Sequence, residues 1–457
     1  SDLSELERAI GRAVPGDRIV LADGVHVSAG QIRIGCAGTA EQPIVIEAGS
    51  VGGAEIRGKG GFTFEHPAAF VVLRGFKFTH EAGTMNLPAG VRQCRITRNV
   101  FQLAIPKEGR AAFLTVSGDD HEIDHNAFQH KETEGQMLYV QGPGTNGMAQ
   151  RTWIHHNYFF DFKPSRRNNS SALHIGHSAR SLTPAHAVVE YNLFVECRGE
   201  NEGAICNESC DNVYRYNTFG EGSTELSLRH GNRCLVFGNF FIGSTGLRFF
   251  GDEHRIFSNY FERCRPAIAI GNGGANVPPA ALTSHDRPDG VHLVCNTLVN
   301  NVANVQMSRR NNGLGANNLV FANNIIAGGN KAVSIEGPLA DPKWEGNLIW
   351  GNDGGAGDLP EGGFEEINPP LVKDRSGIFR LAPGSPAAGR AAGDYRYVGL
   401  DIDGQVRAGR MDAGADQVSD RPILNRVLTP EEVGPNAPEE KGRPLIGAAE
   451  GTRTPAR

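Results

Sequence analysis

The chain has 457 residues, 59 of them Gly and 25 Pro, and a formal net charge of −6. That length exceeds the roughly 250–300 residues at which one compact core stops growing, so the chain is either several domains or an elongated repeat. The mild acidity does not point to nucleic acid or an anionic membrane, no apolar run reaches the roughly 18 residues that span a bilayer, and the abundance of turn residues leans all-β.

The chain opens directly on SDLSELERAIGRAV, so a periplasmic or secreted location requires that it begin after signal cleavage. Leu6, Ile10 and Val14 recur at helical spacing ahead of Pro15-Gly16 and predict a short cap helix. DRIVLADGVH follows as one alternating strand ending at Asp23-Gly24. Residues 1–22 are therefore expected to be a cap helix and first strand.

A repeat then emerges: a strand, an Asn, any residue, and a large apolar residue. It begins at Asn99, Asn126, Asn157, Asn192 and Asn217, and continues at Asn239, Asn259, Asn296, Asn324 and Asn347. Successive Asn residues lie 27, 31, 35, 25, 22, 20, 37, 28 and 23 residues apart. The short intervals suit one coil of a parallel β-helix, and the longer ones a coil with a loop insertion. Propeller blades repeat at about 40–50 residues with other signatures. In stacked coils the Asn side chains can hydrogen-bond along the stack while the following Phe, Leu or Ile points inward. These asparagines are read as structural. The fold class predicted is all-β, a single-stranded parallel β-helix over 23–418 with an N-terminal helical cap.

After Trp350 the pattern fades. PLVKDRSGIFRLAPGSPAAGR and VGLDIDGQVRAGRMDAGADQ read as edge strands closing the stack, and residues 419–457 as an extended or loosely ordered tail. The eight cysteines form no CxxC pair and are read as buried small hydrophobes, including Cys206 and Cys210.

Chemistry concentrates in residues 200–232, ENEGAICNESCDNVYRYNTFGEGSTELSLRHGN. Glu208 and Arg229 are 21 residues apart, about one coil, which can set them side by side on neighbouring strands. Arg248 lies 19 residues beyond Arg229 and can extend the row, and the DFKPSRRNNSS insertion supplies Lys163, Arg166 and Arg167. A row of guanidiniums suits a polyuronate, because Arg pairs with carboxylates through two parallel hydrogen bonds. An anionic polysaccharide is the expected partner, rather than nucleic acid or a membrane. The oligomeric state stays open.

GAICNESCDNVYRYNTF, LSLRHGNRCLVFGNFF and LRFFGDEHRIFSNYF resemble polysaccharide lyase family 6, the alginate lyase and chondroitinase B family; PGDRIVLADGVH and LTPEEVGPNAP are similar to it as well. The resemblance implies a right-handed parallel β-helix and β-elimination on a uronate polymer such as alginate or a dermatan-type glycosaminoglycan, with alginate the substrate expected here. It also implies that Arg229 is the catalytic Arg, in Leu228-Arg229-His230-Gly231-Asn232. The family's basic Lys falls on Glu208, in Asn207-Glu208-Ser209, which reverses the charge at that position. An expected Arg falls on His174. His174, His177 and His230 are alternative bases, and His174 is preferred because alternation turns His230 away from Arg229. His230 and Asn207 join the substrate-binding candidates. For a family Ca²⁺ the first ligand falls on Asn168 and the other two positions on Asn201 and Gly203, with Glu200 and Glu202 one residue out of register. A one-residue bulge would bring Glu202 back. Two other readings stand beside lyase: a hydrolase or epimerase using Glu208 with Glu225 or Glu202, and a glycan-binding protein without catalysis.

Overall fold

The computed structural model describes residues 2–106, 109–144, 147–164, 170–199, 203–276 and 284–439. The chain divides into two compact units, Ser1–Ser209 with Leu428–Arg453, and Cys210–Val427 with Thr454–Arg457. Both are parallel β-helix, built from short strands that each pair with the strand one coil on.

The cap helix spans Leu3–Ile10, with Asp2 accepting from the Glu5 N–H at 2.9 Å as N-cap. Leu6 and Ile10 are buried, but Val14 lies past the helix and is 58% exposed. The expected single strand divides in two, Arg18–Leu21 and Gly24–Ser28. The break at Ala22-Asp23 is a corner, where Asp23 accepts from the Ser50 N–H at 2.8 Å. In the first unit one sheet runs from Arg18–Leu21 through Val188–Glu190 and a second from Gly24–Ser28 through Leu193–Cys197. The third holds Met85–Leu87, Leu114–Val116, Leu138–Val140, Leu173–Gly176 and Ile205–Glu208. The second unit repeats the plan, its third sheet holding Leu226–His230, Leu247–Phe249, Ile268–Ile270, Val305–Met307 and Val333–Ile335.

The Asn repeat explains the coil. Each residue immediately before a repeat Asn has positive φ: 54°, 52°, 52° and 52° at Arg98, His125, His156 and Tyr191 in the first unit. In the second unit the values are 58°, 67°, 51°, 53°, 57° and 64° at Tyr216, Gly238, Ser258, Cys295, Asn323 and Gly346. This left-handed residue turns the chain from one sheet to the next, and only two of the ten are Gly, so the rest bear about 1–2 kcal/mol each. The Asn that follows offsets that cost. Asn239 Oδ1 accepts from both N and Nδ2 of Asn217 at 3.0 Å. Its own Nδ2 donates to Tyr214 O at 2.9 Å, Phe237 O at 3.1 Å and Asn259 Oδ1 at 3.0 Å. The same bonds link Asn99, Asn126, Asn157 and Asn192 in the first unit. In the second they run from Asn217 through Asn347.

Two residues after each Asn, the apolar side chain faces inward. Phe101, Phe128, Phe159 and Phe194 stack with ring centroids 4.8, 5.0 and 4.7 Å apart. Phe219, Phe241 and Phe261 do the same at 4.6 and 4.7 Å. None of the eight cysteines is in a disulfide, and all but Cys36 are buried.

The C-terminal segments differ from the edge strands expected. Leu371–Lys373 and Phe379–Leu381 form an antiparallel hairpin outside the parallel sheets. Residues 398–418 form no strand and lie against the side of the second unit, where Ala415 N donates to Thr297 Oγ1 at 2.8 Å and Ser258 Oγ to Leu400 O at 2.8 Å. Ile378, Ile402 and Ala415 bury themselves there against Phe240, Tyr260 and Val299. These segments carry too few alternating apolar residues to add a coil, so they pack as a side layer instead. Residues 428–439 have no strand but are tied to the first unit, with Arg98 Nη1 donating to Pro435 O at 2.8 Å and Ala437 O at 2.7 Å. Among the described residues no helix is long and apolar enough to cross a membrane.

Two predictions follow from this scaffold. Asn239→Ala removes the acceptor of the Asn217 N–H and the donor to two buried carbonyls. At about 1–3 kcal/mol per orphaned group it should cost roughly 3 kcal/mol or more in denaturant unfolding. Asn239→Asp should be at least as costly, and a loss below about 1 kcal/mol contradicts the ladder's role.

The second concerns pH. His121 and His254, one in each unit, accept a backbone N–H at Nδ1, from Cys94 at 3.2 Å and Cys234 at 3.0 Å. Burial holds both pKa values down to about 4. The unfolded chain therefore binds more protons from about pH 6.5 downwards, and stability is lost as pH falls from 6.5 towards 4. Urea midpoints measured across that window should fall with pH in the parent and fall less steeply in His254→Asn.

Candidate active site

In the third sheet of the first unit, alternate residues face inward and the rest form outward rows. Leu138, Leu173 and Ile205 are the inward partners, and Tyr139, His174 and Cys206 the outward ones, paired in register. Glu208 pairs with Gly176, whose φ is 118°. A Cβ on Gly176 would lie 2.0 Å from the Glu208 carbonyl oxygen, so only Gly lets this strand approach. That approach sets Glu208 next to His174: His174 Nε2 and Glu208 Oε2 are 3.3 Å apart. Ser171 Oγ lies 3.4 Å from His174 Nδ1, and the Tyr139 ring stands edge-on to the imidazole at 5.1 Å. His174 and Glu208 are each 6% exposed and Cys206 is fully buried. Burial by itself lowers the His174 pKa, but Cys206 and Glu208 outweigh it and hold the imidazole well above its ordinary value. A histidine in that state is a cation at neutral pH, and gives a proton more readily than it takes one.

In the second unit, Arg229 lies on Leu226–His230, with Leu226 and Leu228 inward. Its Nε donates to His285 Nε2 at 3.3 Å. His285 packs on Phe250 with ring centroids 4.4 Å apart, and 5.2 Å from His230, which is buried. Burial, then His230, Arg229, Arg248 and Arg310, hold the His285 pKa down to about 3. The imidazole is thus a neutral acceptor beside several cations. Arg248 does not extend the Arg229 row. It pairs in register with Ser227, because one coil here is 21 residues rather than 19. It faces the same way one row along, donating to Ser227 Oγ at 3.1 Å and pairing with Glu225 at 3.2 Å.

The other candidates separate. Lys163 pairs with Asp161 at 2.5 Å and Glu196 at 2.6 Å. Asn207 is buried and donates to Ser209 O at 2.9 Å. His177 caps the 3-10 turn Ser178–Arg180. Arg166, Arg167 and Asn168, and likewise Glu200, Asn201 and Glu202, lie outside the described residues. Of the positions implied for calcium, Gly203 alone is described, and it has no side chain to offer. The donors gathered among the described residues, an imidazole and a thiol beside one carboxylate, are not the oxygen set that a hard cation such as Ca²⁺ takes.

Three residues of these clusters escaped the sequence reading. Tyr139 sits one coil before His174 in a row that counting strand registers back from His174 would have reached. Cys206 is buried as expected, yet its thiol faces His174 instead of the interior. His285 follows a long insertion and carries no motif.

The model for chondroitinase B matches residues 1–326. No protein of curated function matches the sequence. A variant of the polysaccharide lyase family 6 alginate lyase AlyGC shares the fold with a TM-score of 0.75 at 22% identity, covering 97% of this chain and 59% of its own. This chain thus spans just over half of that protein. A mannuronic acid specific polysaccharide family 6 lyase from human gut microbiota aligns with a TM-score of 0.71 at 25% identity, over 81% of this chain and 90% of its own. An alginate lyase of family 6 in complex with a trisaccharide aligns with a TM-score of 0.67 at 19% identity, over 83% and 88%. With its family model matched from the cap helix to beyond the Arg229 strand, the chain belongs to the chondroitinase B family, polysaccharide lyase family 6.

Proposed function

We propose that this protein depolymerises a uronate-containing polysaccharide by β-elimination, with alginate as the first substrate to try and an exported location to match. Family membership supports the reaction class, and the alginate and mannuronic acid lyases of the same fold support the polymer. The observation that carries the reading is Arg229, which lies within the matched residues on a third-sheet strand with a neutral imidazole as hydrogen-bond partner.

Elimination removes the C5 proton, alpha to the uronate carboxylate, so negative charge builds on that carboxylate as C5–H breaks. Arg229 is the cation assigned to it. Because His285 stays neutral, it accepts from Arg229 without cancelling its charge. A base must take that proton and an acid must give one to the departing oxygen as C4–O breaks and C4=C5 forms; within the first unit, the adjacent Glu208 carboxylate and His174 imidazole have the chemistry for those two roles. The pair that Glu208 makes with His174 limits the repulsion between this carboxylate and an anionic polymer. The hydrolase reading needs a second carboxylate, and Glu225, one of its two candidates, is engaged by Arg248.

Rates of oligosaccharide release from alginate, its mannuronate and guluronate blocks, and dermatan and chondroitin sulfates test this reading. Arg229→Ala should lose about 100- to 1000-fold in turnover on the accepted polymer, the usual cost of removing one charge-stabilising donor. Glu208→Gln and His174→Ala should each lose at least about 100-fold. Arg229→Ala within about twofold of the parent contradicts the assignment.

A further inference from the structure

The positions implied for the family's calcium lie outside the described residues, apart from Gly203, and a different set of donors converges on the outer face of the first unit. His174, Cys206 and Glu208 each present one ligand atom, and these atoms all lie within 4.8 Å of one another. They come from two adjacent strands, His174 directly opposite Cys206 in register and Glu208 two residues beyond. The 3.3 Å between His174 Nε2 and Glu208 Oε2 is the separation expected of two ligands about 2.0–2.1 Å from a tetrahedral Zn²⁺. Ser171 Oγ, 3.4 Å from His174 Nδ1, is the outer partner that orients a ligating imidazole through its other nitrogen.

We infer that His174, Cys206 and Glu208 form a binding site for a zinc-class divalent cation, with a fourth position left to water or an oxygen ligand. The thiolate decides the class. A sulfur and an imidazole beside one carboxylate favour Zn²⁺ and its neighbours and disfavour Ca²⁺ and Mg²⁺. Asp124, His125 and His155 gather as closely, but there Arg95 already holds Asp124 through Nε and Nη2 at 2.8 and 2.7 Å, so its oxygens are engaged and a cation occupies the space. Binding at His174 does not depend on the lyase reading. If that reading holds, zinc is an inhibitor, because the lone pair that binds the metal is the one that carries the transferred proton.

Cobalt(II) is the probe. Titrated into chelator-treated protein, it should bind one equivalent and give a thiolate-to-cobalt charge-transfer band in the near ultraviolet with four-coordinate visible bands. Cys206→Ser should abolish the charge-transfer band, and His174→Ala should weaken binding at least about tenfold, with circular dichroism confirming that each variant is folded. Were His174→Ala not to fold, Cys206→Ser still decides. No saturable binding by the parent, or an unchanged spectrum in Cys206→Ser, overturns the site. These readouts use no substrate, so they stand apart from the lyase test. On an accepted polymer, zinc inhibition reversed by chelator supports the site, and equal inhibition of parent and Cys206→Ser overturns it.

Discussion

The hydrogen bond from one Asn side chain to the next is the constraint on which the rest of this protein depends. A parallel coil must turn sharply after each strand, and here it does so through a single residue with positive φ, usually not Gly. That corner leaves buried backbone groups unpaired unless something reaches them. The Asn next in sequence reaches several at once, holding a carbonyl of its own coil, a carbonyl of the previous one, and an N–H of the neighbouring Asn. Replacing it with any apolar residue would leave those groups dry and unpaired, which explains why successive coils within each unit use the same residue.

Phase is the consequence that matters for function. With the corner fixed, residues two beyond each Asn fall inward and stack, and strands of the third sheet inherit a common register. The interior is then filled by Leu, Ile and Phe, and the alternate positions are released from packing. Tyr139, His174 and Cys206 form a row on that account, with Glu208 brought alongside by the close approach at Gly176. In the second unit Ser227 and Arg248 form a row in the same way, with Arg229 beyond them. Electrostatics then differentiates the two clusters: His174 is held as a cation by Cys206 and Glu208, whereas His285, buried among cations, is held neutral.

The Asn repeat, the inward Phe and Leu positions and the Arg229 strand were legible in the sequence because each is local: a period, an alternation, a short motif. Arg248 falls one row away from Arg229 because its spacing of 19 residues is two short of the local coil of 21. Tyr139 and His285 were missed because pairing across coils depends on insertion length, which composition does not report. The side layer built from residues 371–418 is not legible in the sequence, because hairpin and loop segments there share the short apolar runs of edge strands. The reversal at Glu208, by contrast, was visible from the start, and its meaning came only from the imidazole placed 3.3 Å away.

The central claim, that this scaffold cleaves a uronate polymer by elimination, is tested most directly by counting two kinds of new chain end in one digest. Each elimination creates one unsaturated uronate, read by ultraviolet absorbance, and one reducing end. The account predicts that the two rise together in equal number. Reducing ends without unsaturation would mean hydrolysis, and neither in the presence of bound polymer would mean a binding protein; either result would contradict it.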